Sequence, residues 1–138
     1  MPNAEDRLRP APAPRSAGPE LSVDLSATLR ALREEAHPAK NGHRQISLLH
    51  RGSVRMVLFA FDAGGYLKQH HAPGVVTIQV LRGEFRFHTP GGSHELSVGQ
   101  LLVLEPGVLH DVLAVQAGDL LLTIQPEAPG DDSVPRSR

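Results

Sequence analysis

From residue 45 onward, apolar and polar side chains alternate along short segments separated by turns rich in glycine and proline. Alternation with a period of two is typical of β-strands that bury one face. Eight or nine such segments follow one another, over residues 45–50, 54–61, 66–71, 75–81, 84–89, 94–98, 100–104, 110–115 and 119–124. Many short strands joined by turns, with little helix, predict an all-β barrel or sandwich.

One helical pattern precedes the strands. Its apolar positions recur at spacings of four, three and four residues: Leu25, Leu29, Leu32 and Ala36. Such spacing places them on one face of a helix. Asp24 or Ser22 can cap its start, and His37-Pro38 should end it because a residue before proline avoids helical dihedrals. A helix of about three turns is marginal alone, so its apolar stripe is expected to dock on the barrel or on a partner subunit.

The length of 138 residues predicts a single domain. Residues 1–20 and 127–138 are rich in proline, alanine and charged residues, and they predict disordered tails. Residues 21–44 hold the helix and a loop, and residues 45–126 form the predicted barrel. The domain plan is therefore tail, helix, barrel and tail.

Composition excludes several function classes. The net charge is −1 with no strongly basic patch, so nucleic-acid binding is not expected. There is no cysteine, which excludes disulfides and thiolate metal sites and fits a reducing compartment. Residues 1–14 lack the apolar core of a secretory signal, and no apolar run reaches the roughly 18 residues of a membrane helix. A soluble cytoplasmic protein is expected.

Two glycine-and-histidine patterns mark the candidate site. The first places His70 six positions after Gly64, and the second places His110 eleven positions after Gly99. Two histidines so spaced can converge inside a small barrel. His110 shares its strand face with small apolar residues, as expected of a barrel interior. Other histidines, among them His43 and His88, are expected in loops or on outer faces.

These patterns resemble the two motifs of the cupin superfamily. Its first motif is glycine, five residues, His-x-His, three or four residues, glutamate, six residues and glycine; here the corresponding residues are Gly64, His70, Ala72, Val76 and Gly83. Its second motif is glycine, five residues, Pro-x-Gly, two residues, histidine, three residues and asparagine. Here the corresponding residues are Gly99, Glu105, Gly107, His110 and Ala114, with Pro106 one position after the expected proline. The resemblance covers about residues 45–125. It implies a single-domain cupin, a jelly-roll barrel of the double-stranded β-helix type.

The resemblance also implies four metal ligands, of which two are missing. His70 and His110 stand at ligand positions, whereas Ala72 replaces the second histidine and Val76 replaces the glutamate. Neither side chain can donate to a metal. The inherited metal site therefore looks degenerate.

Three functions stay open on these residues. The preferred one is a sensor or accessory protein, without catalysis, that binds a small organic ligand. Its predicted binding residues are His70, His110, Ala72, Val76, Val112 and Ala114. The alternative is a metal-dependent oxygenase or isomerase, in which a β-bulge before Ala72 turns His71 inward to join His70 and His110 around iron, manganese, nickel or zinc. In the third, the barrel is a scaffold and the function lies in its outer surface or tails. The two histidines are then structural and hydrogen-bond each other, water or a carbonyl.

A homodimer is also expected. A barrel of about 80 residues buries a limited share of its surface, and small cores are often marginal alone. The apolar segment 54–59, taken as an edge strand, and the helix stripe are the surfaces predicted to pair across a two-fold axis.

Overall fold

The protein is described by a computed structural model over residues 19–36 and 39–126. This part of the chain contains the helix α1 (Leu25–Arg33) and the strands β1 (His43–Arg51), β2 (Val54–Phe61), β3 (Tyr66–His70), β4 (Gly74–Arg82), β5 (Glu84–Thr89), β6 (Gly92–Ser97), β7 (Leu101–Leu104), β8 (His110–Ala114) and β9 (Gly118–Pro126). The predicted all-β fold with one short helix is confirmed. The predicted helix end at His37-Pro38 is wrong, because α1 ends at Arg33 and Glu34 is its C-cap. Residues 37–38, and residues 1–18 and 127–138 of the predicted tails, lie outside the described residues.

The strands form two antiparallel sheets. The five-stranded sheet has the order β1-β2-β9-β4-β7, and the four-stranded sheet has the order β3-β8-β5-β6. Alternation turns one face of each sheet inward, and the inward residues make one apolar cluster between the sheets. Phe85 and Phe87, 1% and 0% exposed, lie at its centre.

The helix docks on the outer face of the five-stranded sheet. The Asp24 side chain caps it by accepting a hydrogen bond from the Ala27 amide at 3.0 Å. Leu29 and Leu32 are 4% and 1% exposed and pack against Leu48, Leu58 and Ala60. Leu25, Leu29 and Leu32 of the predicted stripe therefore pack on the barrel of the same chain, whereas Ala36 lies beyond α1 and is exposed.

A buried carboxylate ties the helix to two strands. Asp119 of β9 is 3% exposed. It accepts hydrogen bonds from Arg33 Nη1 of the helix at 3.1 and 3.0 Å. It also accepts from Arg82 of β4, at 2.8 Å from Nε and 3.4 Å from Nη2. The ion pairs fix the end of α1 against the sheet.

Two expectations about exposure are wrong. The segment 54–59 is not an edge, because β9 returns from the end of the domain and inserts between β2 and β4. Leu29 and Leu32 of the helix stripe are also buried. The two surfaces that were predicted to pair in a homodimer are therefore not exposed for pairing. His43 is not on an outer face: it is 8% exposed, and its ring lies 5.9 Å from that of Phe59 and 5.2 Å from that of Phe61.

In the described ranges, no helix has the length and apolar character needed to cross a membrane.

Candidate functional site

The site is built around His70 and His110, which lie opposite each other on adjacent strands. His70 ends β3 and His110 begins β8, and the two are register partners. Their ring centroids are 4.2 Å apart with an angle of 58° between the ring planes. The two glycine-and-histidine patterns thus meet at one point of the four-stranded sheet.

A bulge in β3 positions His70. The register passes from the pair Leu67–Val112 to the pair His70–His110, so Lys68 and Gln69 together face the single residue between these partners on β8. Leu67 packs against the core, while Lys68 and Gln69 are exposed. The extra residue lets both Leu67 and His70 turn inward although they are three positions apart.

Backbone carbonyls fix the tautomer of both rings. His70 Nδ1 lies 2.7 Å from the Lys68 carbonyl oxygen, and His110 Nδ1 lies 3.0 Å from the Val108 carbonyl oxygen. A carbonyl oxygen only accepts, so each Nδ1 must donate its hydrogen. In a neutral imidazole the other nitrogen, Nε2, then carries a lone pair. When both rings are neutral, the pair presents two acceptor nitrogens, one Nε2 on each ring.

Burial disfavours the charged form of His110. Its side chain is 1% exposed, whereas His70 is half-buried. Desolvation by burial lowers the pKa of His110 below its ordinary value of 6.5; the Val108 carbonyl opposes this, the charge of His70 lowers it further, Asp111 raises it, and His71 lowers it. The cation is therefore disfavoured at the buried ring.

Acidification is expected to destabilise the fold through His110. Because the pKa of His110 is lower in the folded than in the unfolded chain, the unfolded chain binds the proton first. The stability that the neutral ring contributes is present above 6.5 and is lost as pH falls from there through the folded-state pKa. Urea unfolding at about pH 7.5 and about pH 5.5 should show a loss in wild type that shrinks in His110→Ala. The control His88→Ala removes an exposed ring and should lose as much stability between the two pH values as wild type. An unchanged pH slope in His110→Ala contradicts the prediction.

The other predicted binding residues line the apolar interior. Val76, Val112 and Ala114 are 2%, 3% and 1% exposed, and Ala72 is partly buried against the same cluster. All four belong to the apolar cluster between the sheets, and Val112 follows His110 by two positions on the same face of β8. An apolar environment strengthens any hydrogen bond made at Nε2.

The residues present do not fit a resident metal ion. His71 is exposed, and the β3 bulge lies before His70 rather than before Ala72. Over residues 19–36 and 39–126, no three or more histidine, aspartate or glutamate side chains gather as a metal site. Two imidazoles fall short of the three protein ligands usual for catalytic zinc.

Sequence reasoning missed the carbonyls that orient the rings. Each histidine bonds to the carbonyl two residues before it, at Lys68 and at Val108. Side-chain identity carries no signal for this local geometry. It also missed a hydrogen bond on the outer face, between His88 Nδ1 and Asp111 Oδ1 at 2.8 Å, because only the pairing of β5 with β8 brings these two residues together.

A family model, the AraC-like ligand binding domain, matches residues 55–124. No curated protein matches the sequence. The matched range runs from β2 to β9 and contains both histidines and the whole apolar interior.

Solved structures show the same fold. A cupin superfamily protein from Desulfitobacterium hafniense has a TM-score of 0.61 at 16% identity, over 66% of this chain and 84% of that chain. An RmlC-like cupin from Shewanella frigidimarina has a TM-score of 0.61 at 24% identity, over 72% and 88%. Salicylate 1,2-dioxygenase from Pseudoaminobacter salicylatoxidans has a TM-score of 0.61 at 20% identity, over 72% and 30%. The barrel is therefore a cupin fold.

Proposed function

Because the chain belongs to the AraC-like ligand-binding domain family, we propose that it binds a small organic molecule at the His70–His110 pair and acts as a sensor or accessory protein without catalysis. The observation that carries the proposal is the geometry of the pair: two rings 4.2 Å apart, each oriented by a carbonyl, in an apolar interior. Apolar sites with a few convergent polar groups are typical of small-molecule binding. The absence of cysteine fits a cytoplasmic location.

The ligand's chemistry follows from the two acceptor nitrogens. A molecule that donates a hydrogen bond, such as an alcohol or a phenol, pairs with Nε2 of a neutral imidazole. A carboxylate only accepts and meets no donor at a neutral pair. The apolar residues Ala72, Val76 and Val112 favour a hydrocarbon body on the ligand. The proposed ligand is an uncharged apolar molecule with one or two hydroxyl groups.

A thermal-shift screen tests this function. Uncharged hydroxylated compounds should raise the melting temperature of the wild-type protein, since a ligand at about 100 times its Kd adds about 2.7 kcal/mol. His70→Ala and His110→Ala should each abolish the shift. The matched control is His88→Ala, because His88 is an exposed histidine on the outer face and its loss should leave the shift intact.

Three results would overturn the proposal. The first is a broad screen without any ligand-dependent shift, and the second is a shift that survives in the His70/His110 double variant. The third is near-stoichiometric iron, manganese, nickel or zinc in elemental analysis of protein without a histidine tag, which would indicate a metal enzyme. That metal would disappear in the same double variant.

A further inference from the structure

Thr89 lies in one row with the histidine pair. β5 and β8 pair antiparallel as far as the partners His88 and Asp111, so the next positions along the two strands are Thr89 and His110. His70 is in turn the register partner of His110. Three neighbouring strands of the four-stranded sheet, β3, β8 and β5, therefore place His70, His110 and Thr89 side by side.

The Thr89 side chain is turned to the inner face of that sheet. It follows Phe87 by two positions, and Phe87 is fully buried in the core between the sheets. The partner of Phe87 on β6 is His94, and His94 Nε2 lies 3.4 Å from Thr89 Oγ1. Thr89 and His94 are both half-buried. The polar row that begins at the histidine pair thus continues across β5 to β6.

The hydroxyl hydrogen of Thr89 is only weakly engaged. Thr89 Oγ1 accepts a hydrogen bond from the Gly91 amide at 3.2 Å, which uses one of its two lone pairs. Among the described residues, the acceptors for its own hydrogen are the Gly92 carbonyl oxygen and His94 Nε2, each at 3.4 Å. Hydroxyl donors usually lie about 2.5–3.0 Å from an oxygen acceptor. A better placed oxygen can therefore take this hydrogen without breaking a strong bond.

Thr89 and the histidine pair offer complementary hydrogen-bonding groups. Nε2 of a neutral ring only accepts, whereas the Thr89 hydroxyl can donate. The two groups lie on adjacent strands, which are about 4.8 Å apart in a sheet. A ligand satisfies both when one of its oxygens donates a hydrogen bond and a second oxygen, about 5 Å away, accepts one.

We propose that Thr89 is a specificity-determining residue of the ligand site, and that its hydroxyl donates to a second oxygen of the ligand. The inference rests on the proposed function, because it concerns the same site. It narrows the ligand class to uncharged molecules that place a hydroxyl at the histidine pair and a carbonyl or second hydroxyl oxygen one strand away. Alcohols and phenols with a single oxygen satisfy only the histidine half of the site.

A matched pair of aromatic probes tests the role of Thr89. The first, meta-hydroxyacetophenone, carries a hydroxyl and a carbonyl; the second, meta-ethylphenol, has a methylene in place of the carbonyl. Heteronuclear NMR titration of the full chain gives the Kd of each probe. Thr89→Val removes the hydroxyl at nearly constant volume, so it should shift the ratio of the two Kd values about fivefold against the ketone, as expected for one net hydrogen bond.

Two further variants separate the hydroxyl from other effects of the substitution. Thr89→Ser keeps a hydroxyl and should keep the wild-type ratio. Thr77→Val is the matched control, because Thr77 is half-buried between the inward residues Val76 and Ile78 and therefore faces outward. It should also keep the wild-type ratio. Circular dichroism and the melting temperature show that each variant is folded.

Failure of this inference differs from failure of the proposed function. If both probes need the histidine pair but keep their Kd ratio in Thr89→Val, the role of Thr89 is wrong and the histidine site stands. A Thr89→Ser protein that behaves like Thr89→Val also contradicts the role of the hydroxyl. If neither probe binds the wild-type protein, or if both bind equally well to the His70/His110 double variant, the proposed function and this inference are both overturned.

Discussion

Gly83→Ala is expected to lower the free energy of unfolding by about 3 kcal/mol or more. Gly83 lies between β4 and β5 with φ +84°, a conformation that side chains with a Cβ rarely adopt. A Cβ at this position would also lie 2.4 Å from the Ala117 carbonyl oxygen and 2.8 Å from the Gly118 Cα. Both contacts are with backbone, which cannot swing aside as a side chain can.

Gly99→Ala separates the two causes. Gly99 has φ +89°, but a Cβ there would meet no atom within 4 Å. The free energy of unfolding of Gly99→Ala should therefore fall only by the cost of the left-handed backbone, about 1 kcal/mol. In a domain of this size each kcal/mol shifts the melting temperature by about 4–8 °C. Thermal and urea unfolding of both variants give the comparison, and equal losses at the two glycines would contradict the prediction.

The strands and their faces could be predicted because alternation is a local property. β2 and β5 occupy the predicted ranges, Val54–Phe61 and Glu84–Thr89. Alternation also places Phe85 and Phe87 in the core, where they are fully buried. It tells which side of a strand is buried but not which strand lies beside it. For that reason segment 54–59 was expected at an edge, although β9 covers it.

For the histidine pair, too, local sequence pattern predicted one part of the structure, and strand pairing determined the rest. The spacing of the glycine-and-histidine patterns indicated which two strands carry the site, and His70 and His110 are register partners. The β3 bulge could not be predicted, because strict alternation along β3 puts Lys68 rather than Leu67 on the face of His70. The bulge moves Leu67 inward and leaves Lys68 exposed. Its position depends on the pairing with β8, which local pattern does not contain.

Asp119 could not be predicted from the sequence for a related reason. Its partners Arg33 and Arg82 are 86 and 37 residues away along the chain. Only the return of β9 beside β4 and under α1 brings the three side chains together. A lone aspartate before an apolar strand otherwise suggests a turn residue. Its burial at 3% is a result of tertiary structure alone.

Asp119→Asn is expected to destabilise the fold by about 2–3 kcal/mol. Removing one partner of a buried ion pair costs about 3–5 kcal/mol. The two arginine side chains are 40% and 44% exposed, so water and salt screen part of that cost. Glu95→Gln is the matched control, because Glu95 pairs with Arg86 at 3.1 Å on the surface, with 67% and 38% of the side chains exposed. Its loss should stay below about 1 kcal/mol.

A double-mutant cycle decides whether Asp119 acts through the helix. If the carboxylate anchors α1, Asp119→Asn and Arg33→Met should each destabilise the fold, and the double variant should lose less than the sum of the two by about 1 kcal/mol or more. Removing Arg33 alone leaves Asp119 its bonds to Arg82, so its loss should be the smaller of the two. Urea unfolding measures all four proteins. Additive losses would show that the helix is held by Leu29 and Leu32 without help from the ion pair, and a loss in Asp119→Asn no greater than in Glu95→Gln would contradict the anchoring itself.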